Sequence, residues 1–171
     1  MTQNNANDSK FGRALLLLCL IAFGVAAYAN TFTNPFVYDD INYITLNDPH
    51  VHMTELSVDQ LKEAIFEGKP RHRPLANLSF ALNYWLGGEN PPGFHVVNLG
   101  IHLLTAMFLF FIFSDALRRN SAISNSRSRE WTGGGISADM KWAAFFAALL
   151  WLVHPVQTNA VTYIVQRMTS L

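Results

Sequence analysis

Three apolar segments, separated by polar sequence, dominate the pattern of hydrophobic and polar positions along the chain. They cover residues 14–29, 94–113 and 138–153. The middle segment contains no Asp, Glu, Lys or Arg, and its twenty residues would span ~30 Å as a helix, about the hydrocarbon thickness of a bilayer. The pattern therefore predicts an all-α polytopic membrane protein with about three transmembrane helices.

The first apolar segment allows two interpretations. Lys10 and Arg13 precede it, and small residues at 27–29 end it before Asn30, which is typical of a secretory signal peptide as well as of a short membrane anchor. Both interpretations place the chain from Asn30 onward outside the cytoplasm. We favour an uncleaved anchor, because the later apolar segments keep the protein in the membrane.

The distribution of charge predicts the orientation. Residues 1–13 and 114–137 carry more basic than acidic side chains, whereas residues 30–93 hold eight acidic residues against four basic ones. Because cytoplasmic loops are enriched in Lys and Arg, we expect residues 1–13 and 114–137 in the cytoplasm and residues 30–93 outside it. The polar run 120–135 predicts a flexible connector. Residues 154–171 predict an outer-side turn and the start of a further helix.

The outer loop, residues 30–93, predicts two short amphipathic helices. The first would run over residues 57–66 with a serine cap. The second follows from apolar residues at helical spacing over 75–86, with Asn77 and Asn83 on its other side, and is expected to lie at the membrane interface.

Composition and charge narrow the class of protein. Half of the residues are hydrophobic, 14% are charged and the formal net charge is zero, with no basic stripe that would indicate nucleic-acid binding. The single cysteine, Cys19, leaves no internal disulfide or cysteine–zinc site. The outer-loop histidines lack compact ligand spacing, so we predict no metal.

Three polar residues share one helical face of the middle apolar segment. His95, Asn98 and His102 follow at i, i+3 and i+7. Polar groups are costly in the membrane and usually face protein or a water-filled cavity. Interhelical hydrogen bonding is one explanation, and contact with a ligand or a proton is the other.

Two adjacent carboxylates, Asp39 and Asp40, follow about ten residues after the first apolar segment and are flanked by aromatic residues. One interpretation is structural, with Asp40 capping a turn and Asp39 solvated. The other is catalytic, since a carboxylate beside a second one would have a raised pKa suited to accepting a proton.

A series of short motifs then occurs in an order found in one family. They are Phe36-Val37-Tyr38-Asp39-Asp40, Asn47-Asp48-Pro49, Arg73-Pro74-Leu75, Leu82-Asn83-Tyr84-Trp85-Leu86-Gly87-Gly88, Gly93-Phe94-His95-Val96-Val97-Asn98 with His102, and His154-Pro155-Val156-Gln157-Thr158 through Gln166-Arg167. Over about residues 30–110 and 140–171 the chain resembles the N-terminal membrane part of the transmembrane and tetratricopeptide-repeat proteins. Their animal members are protein O-mannosyltransferases, and this chain is expected in the bacterial branch.

The resemblance implies part of a larger C-type glycosyltransferase bundle. Such proteins transfer a sugar from a polyprenyl-phosphate donor to an acceptor protein or glycan on the outer side. Asp39 and Asp40 match the family's acidic pair, and the resemblance favours Asp39 as the base. Arg73 and Arg167 are expected to bind the donor phosphate. Substrate orientation is the expected role of four further residues, His154, His95, His102 and Asn98.

The expected partners are membrane lipid, the lipid-linked sugar and the acceptor, with no cofactor. The expected location is the bacterial inner membrane, with the N-terminus in the cytoplasm. Asn159 departs from the family, whose animal members tend to have an acidic residue there. The chain has no repeat of about 34 residues and stops at Leu171, whereas family members continue, so we expect no activity from the chain alone.

Two alternatives stay open on the sequence. In one, the chain is a non-catalytic membrane assembly or interaction protein whose polar residues hold helices together. In the other, it is an envelope protein led by a signal peptide, with a mature chain that begins at Asn30.

Overall fold

The computed structural model describes residues 2–46, 49–128 and 138–171, and this part of the chain is helical with no strand. Seven α-helices follow one another in the described ranges: α1 Thr2–Tyr28, α2 Val58–Phe66, α3 Pro74–Gly87, α4 Pro91–Ser128, α5 Ala138–Leu152, α6 Thr158–Thr162 and α7 Arg167–Ser170. Short 3-10 turns cover Ala29–Thr33, Pro155–Gln157 and Ile164–Gln166, and a π-helical turn covers Ile41–Leu46. The predicted all-α fold is confirmed.

Two described helical stretches are long and apolar enough to cross a membrane, Phe11–Thr33 and Pro91–Ser121. A third span results if the bent pair Met140–Leu152 and Pro155–Thr162, which changes direction by 50°, is counted as one. Pro155 lies at this bend, as expected of a residue that cannot continue the hydrogen bonding of a helix. The protein is a polytopic membrane protein with two or three spans.

Helix α4 is longer than its apolar segment. It continues to Ser128, so residues 120–128 are helical and the prediction of a flexible connector was wrong there. The remainder of that predicted connector, residues 129–135, lies outside the described residues. This stretch is polar and has little apolar surface to bury. It is nevertheless helical, because a helix that has started at Pro91 gains one backbone hydrogen bond for each residue added.

The first of two compact units comprises Met1–Ala27 and Leu103–His154. Its core contains small residues between large ones: Leu16, Leu20, Ala106, Phe110, Ala144, Phe145, Ala148 and Leu152. A Cβ on Gly24 would lie 2.5 Å from a methyl carbon of Leu103. Small residues at such contacts let helix backbones approach closely, which is how helices associate in lipid.

The second unit comprises Tyr28–His102 and Pro155–Leu171. Its main core cluster joins residues from distant parts of the sequence: Ile44, Val51, Ala76, Phe80, Phe94 and Ile164. Helix α2 begins where the sequence predicts, because the Ser57 side chain accepts a hydrogen bond from the Gln60 backbone N–H.

Helix α3 buries two polar side chains and exposes two large apolar ones. Asn77 and Asn83 are buried, whereas Leu75 and Leu86 are 63% and 74% exposed. The buried side also carries Ala76, Phe80 and Ala81, so it combines polar and apolar residues. An exposed apolar face suits contact with lipid rather than water.

Gly68, which follows α2, is the position where a side chain fits least well in the second unit. A Cβ there would lie 2.6 Å from the Ala64 carbonyl oxygen and 2.8 Å from Asn77 Nδ2. Neither atom can move freely, since one is backbone and the other donates to the Pro70 carbonyl.

Gly68→Ala should therefore lower the free energy of unfolding by about 1–3 kcal/mol, measured by thermal or denaturant unfolding in detergent. Gly87→Ala is the matched control, because no atom lies within 4 Å of a Cβ placed there. Equal stability of the two variants would contradict the close packing of Gly68.

Candidate active site

The guanidinium of Arg167 is a deeply buried charged group of the second unit. Arg167 is 1% exposed, and its Nε donates to Asn98 Oδ1 at 2.6 Å. One terminal nitrogen donates to Asn83 Oδ1 at 3.0 Å and to the Phe94 carbonyl at 2.8 Å. The group also lies 4.5 Å from the centre of the Phe80 ring, a cation–π contact.

The third guanidinium nitrogen donates to Ser79, so each nitrogen of Arg167 already has a protein acceptor. Among the described residues no carboxylate forms an ion pair with it. Burial lowers the pKa of Arg167 to about 9, which still leaves it charged at neutral pH. Phosphate binding by Arg167 stays a prediction, and the geometry gives it a role in holding the second unit together.

Asn98 and His95 connect α4 to the last part of the chain. Asn98 Nδ2 donates to the Ile164 carbonyl at 3.2 Å. One ring nitrogen of His95 lies 3.4 Å from the Val161 carbonyl, and the other lies 3.2 Å from the Asn34 carbonyl. These two side chains thus hold the backbone at Asn34 and over residues 161–164.

His102, the third member of this polar face, is also buried and packs edge-on against the Tyr28 ring, with 5.4 Å between ring centroids. All three residues of the face thus contact protein, which corresponds to the first of the two explanations given by the sequence.

The two adjacent carboxylates have different environments. Asp40 is fully buried, and its oxygens accept from the backbone N–H groups of Val165 at 2.7 Å and Val37 at 3.3 Å. Asp39 is exposed and lines a cavity. Tyr38, immediately before them, has φ = 48°, a left-handed conformation that is uncommon outside glycine. Strained backbone of this kind is often found at functional sites.

Burial is the main cause that raises the pKa of Asp40, while hydrogen bonds from Val165 and Val37 and the charge of His95 act in the opposite direction. From the sequence, each carboxylate of the pair was expected to raise the pKa of the other. The structure gives desolvation as the cause and Asp40 as the residue concerned.

Two cavities of the second unit share a lining residue. The aspartate cavity, about 340 Å³, is lined by Asp39, Asn42, Tyr43, Pro70, Val165 and Met168. The arginine cavity, about 370 Å³, is lined by His72, Arg73, Pro74, Leu75, Ala76, Met168 and Leu171. Met168 lines both, and Arg73 donates a hydrogen bond to its carbonyl oxygen. The predicted base and the predicted phosphate-binding arginine therefore line adjacent cavities.

A third cavity, the asparagine cavity, measures about 510 Å³ and is lined by Asn34, Pro35, Val37, Tyr38, Asn159, Thr162 and Tyr163. Tyr163 also forms a hydrogen bond to the Asp39 side chain. One residue thus connects this cavity to the proposed base.

One predicted site residue is not part of the second unit. His154 belongs to the first unit, where it is exposed and its backbone N–H donates to the Trp151 carbonyl. Conversely, Tyr163 and Ser79 were not predicted as site residues, and Asn83 was placed only on the side of α3 away from the leucines. The polar residues of α3 were the available signal, because an asparagine in a membrane-associated helix usually faces protein.

Fold and site define a class: a polytopic α-helical membrane protein whose exposed carboxylate lies in a cavity next to an arginine. In sequence the chain is 31% identical to protein O-mannosyl-transferase Tmtc3 of Drosophila melanogaster over 96% of its length. It is 33% identical to TMTC2 of Mus musculus over 85% and 30% identical to TMTC4 of Homo sapiens over 84%. The chain is thus homologous to part of these O-mannosyl-transferases.

The chain spans less than a fifth of these relatives, between 16% and 19% of their length. No family model matches the chain, and no solved structure gives a significant match.

Replacing Arg167 by lysine tests the hydrogen bonds around the guanidinium. Lysine keeps the charge but cannot reach Asn98, Asn83 and the Phe94 carbonyl together, since its three donors lie on one nitrogen. Arg167→Lys should lower the free energy of unfolding by about 2–4 kcal/mol. The control, Arg71→Lys, changes an exposed pair with Glu67 and should leave the unfolding midpoint unchanged. Equal midpoints for both variants would contradict a central role for Arg167.

Replacing each carboxylate by its amide tests their different environments. Asn at position 40 offers one acceptor oxygen where two backbone N–H groups need acceptors, so Asp40→Asn should cost about 1–3 kcal/mol at low pH. Asp39→Asn should not change the unfolding midpoint, because Asp39 is exposed.

The raised pKa of Asp40 predicts that the stability of the protein depends on pH. Because the pKa of Asp40 is raised, the folded state holds this proton more tightly than the unfolded state. The free energy of unfolding should therefore fall as pH rises from about 4 through the raised pKa. Asp40→Asn should lack this fall, which unfolding measured across pH would detect. A fall of the same size in the variant would contradict the assignment to Asp40.

Proposed function

We propose that the chain is the N-terminal membrane portion of an O-mannosyltransferase-like glycosyltransferase. It would act on the extracytoplasmic side of a bacterial inner membrane, with its N-terminus in the cytoplasm, and use a polyprenyl-phosphate sugar as donor. The observation that carries the proposal is the exposed Asp39 carboxylate in a cavity that shares Met168 with the cavity of Arg73. The reaction class is that of the relatives, which are protein O-mannosyl-transferases.

Asp39 is the proposed general base. An acceptor hydroxyl gives its proton to the Asp39 carboxylate as its oxygen bonds to the anomeric carbon of the donor sugar. The bond from that carbon to the phosphate oxygen breaks, and the polyprenyl phosphate leaves with the electron pair. An exposed carboxylate within a cavity can meet such a hydroxyl, whereas the oxygens of Asp40 already accept backbone hydrogen bonds. Asp40 is thus a positioning residue in this proposal.

Arg73 is the proposed phosphate ligand. It is half-buried at the start of α3 and donates one hydrogen bond to the Met168 carbonyl. A guanidinium has five N–H donors, so others remain for phosphate oxygens. The arginine cavity also contains Leu75, and the exposed apolar side of α3 continues through Leu86. A phosphate group and a hydrocarbon chain would both find suitable surfaces there.

Arg167, with Asn98, His95 and His102, has a positioning role in this proposal. These residues hold α4 against the last part of the chain and thereby fix Tyr163 and Val165 beside Asp39. The proposed role of His154 is to orient substrate, as the resemblance implies. Activity is proposed for the full-length gene product that contains this chain, and the chain alone is expected to be inactive.

Asp39→Asn in the full-length gene product should reduce sugar transfer by about 10²-fold or more, because the amide cannot accept the hydroxyl proton. Arg73→Lys should mainly raise KM for the donor, since lysine keeps the charge without the bidentate fork. The assay is transfer from a polyprenyl-linked sugar by purified protein in nanodiscs. Asp59→Asn, which alters an exposed carboxylate on α2, is the control and should retain full activity.

Full transfer by the double variant Asp39→Asn, Asp40→Asn, at a normal folded level, would remove the proposed base. The alternative of a non-catalytic assembly protein would then be preferred.

A further inference from the structure

The asparagine cavity has two walls from distant parts of the sequence. One wall is the segment 34–38, which is extended up to Val37 and turns at Tyr38, and the other is the stretch 159–163 at the end of α6. Its volume of about 510 Å³ falls within the usual range of ligand-binding cavities. This cavity has no role in the donor chemistry described above.

Two buried side chains hold the segments that form these walls, one of them through Val165, two residues after the second wall. The ring nitrogens of His95 lie between the Asn34 carbonyl and the Val161 carbonyl. The Asp40 carboxylate accepts from Val37 on one side and Val165 on the other. Because both bridges are buried, the distance between the walls is fixed by the folded core. A cavity held in this manner is preorganised for a ligand, which reduces the entropy cost of binding.

The lining is neutral and mixed in polarity. Asn34 and Asn159, one from each wall, offer amide groups that can both donate and accept. The remaining surface comes largely from Pro35, Val37 and two tyrosine rings. Among the residues that the structure describes, no basic side chain lines the cavity, so these residues offer an anionic ligand no counter-charge. Paired amides between apolar surfaces complement a peptide group with a small side chain better than a ligand rich in hydroxyl groups.

Negative charge lies at the end of the cavity nearest the proposed base. Burial, and then the charges of Asp39 and Asp40, raise the pKa of Tyr163, although a backbone hydrogen bond from Asp39 lowers it. The phenol therefore stays protonated at neutral pH and donates to the Asp39 carboxylate. A second carboxylate placed beside it would meet the like charge of Asp39.

We propose that the asparagine cavity is the acceptor subsite, and that it admits an uncharged peptide segment bearing a serine or threonine hydroxyl while excluding one with an acidic neighbour. The assignment of an acceptor rests on the proposed function. The selectivity rests on the neutral lining and on Asp39. In this arrangement Asp39 lies between the acceptor and the phosphate bound at Arg73.

The test is binding of fluorescent peptides, without donor, to the full-length gene product in nanodiscs. Three peptides share an alanine-rich sequence with one threonine and differ in a neighbour, which is Ala, Asp or Lys. The Ala and Lys peptides should bind, and the affinity of the Asp peptide should be lower by about tenfold or more. Asp39→Asn should remove most of that difference, because it removes the repelling charge.

Asn159→Ala should weaken binding of the Ala peptide several-fold. Asn90→Ala alters an exposed asparagine outside the cavity and should have no effect. Equal binding of the Asp and Ala peptides, or equal binding by the two asparagine variants, would overturn the proposal. So would competition by a neutral oligosaccharide in place of the peptide.

The binding assay and the transfer assay fail independently. The protein could bind peptides with the expected charge selectivity and bind the donor, yet transfer no sugar. That result would contradict the proposed function, while the cavity would still be a peptide-binding site. Transfer that depends on Asp39 and Arg73 but is indifferent to Asn159 and to acidic neighbours would leave the function and overturn the acceptor subsite.

Discussion

The placement of one buried cation, Arg167, constrains the whole second unit. Its guanidinium nitrogens find side-chain and backbone acceptors on α3 and α4, and it has no ion-paired carboxylate among the described residues. A buried charge without such acceptors would cost several kcal/mol. Asn83 and Asn98 therefore face inward, whereas Leu75 and Leu86 of α3 lie on the outside. These polar contacts add to the apolar core of the second unit in holding α3, α4 and the last part of the chain together.

Local signals in the sequence were enough to predict most of the helices. Length and polarity located the apolar spans, and the Ser57 cap located α2 at Val58–Phe66. The direction of α3 was not predictable in that way, because periodicity shows that a helix has two faces without showing which one is buried. Here the decision depends on Arg167, which lies 84 residues after its acceptor Asn83. The end of α4 was missed for a different reason, since helix propagation extends beyond the apolar segment.

The acidic pair shows a similar limit. Its position could be recognised from the sequence, but two adjacent residues do not reveal which side chain is buried. The left-handed turn at Tyr38 and the backbone N–H groups of Val37 and Val165 separate their roles. Arg73 was recognised as a site residue, whereas the contribution of Tyr163 depends on the fold of the last part of the chain. Residues that act through distant backbone contacts leave no local pattern.

The sequence distances around Arg167 also impose an order on biosynthesis. Its acceptors Asn83, Phe94 and Asn98 precede it by 84, 73 and 69 residues. At about 5–20 residues per second, a ribosome takes several seconds to make the chain between them. During that interval α3 and α4 must enter or approach the membrane. Asn83 and Asn98 then still lack the guanidinium that later donates hydrogen bonds to them. The second unit is thus completed late, and a nascent chain halted before Arg167 would expose polar groups that membrane quality-control systems could recognise.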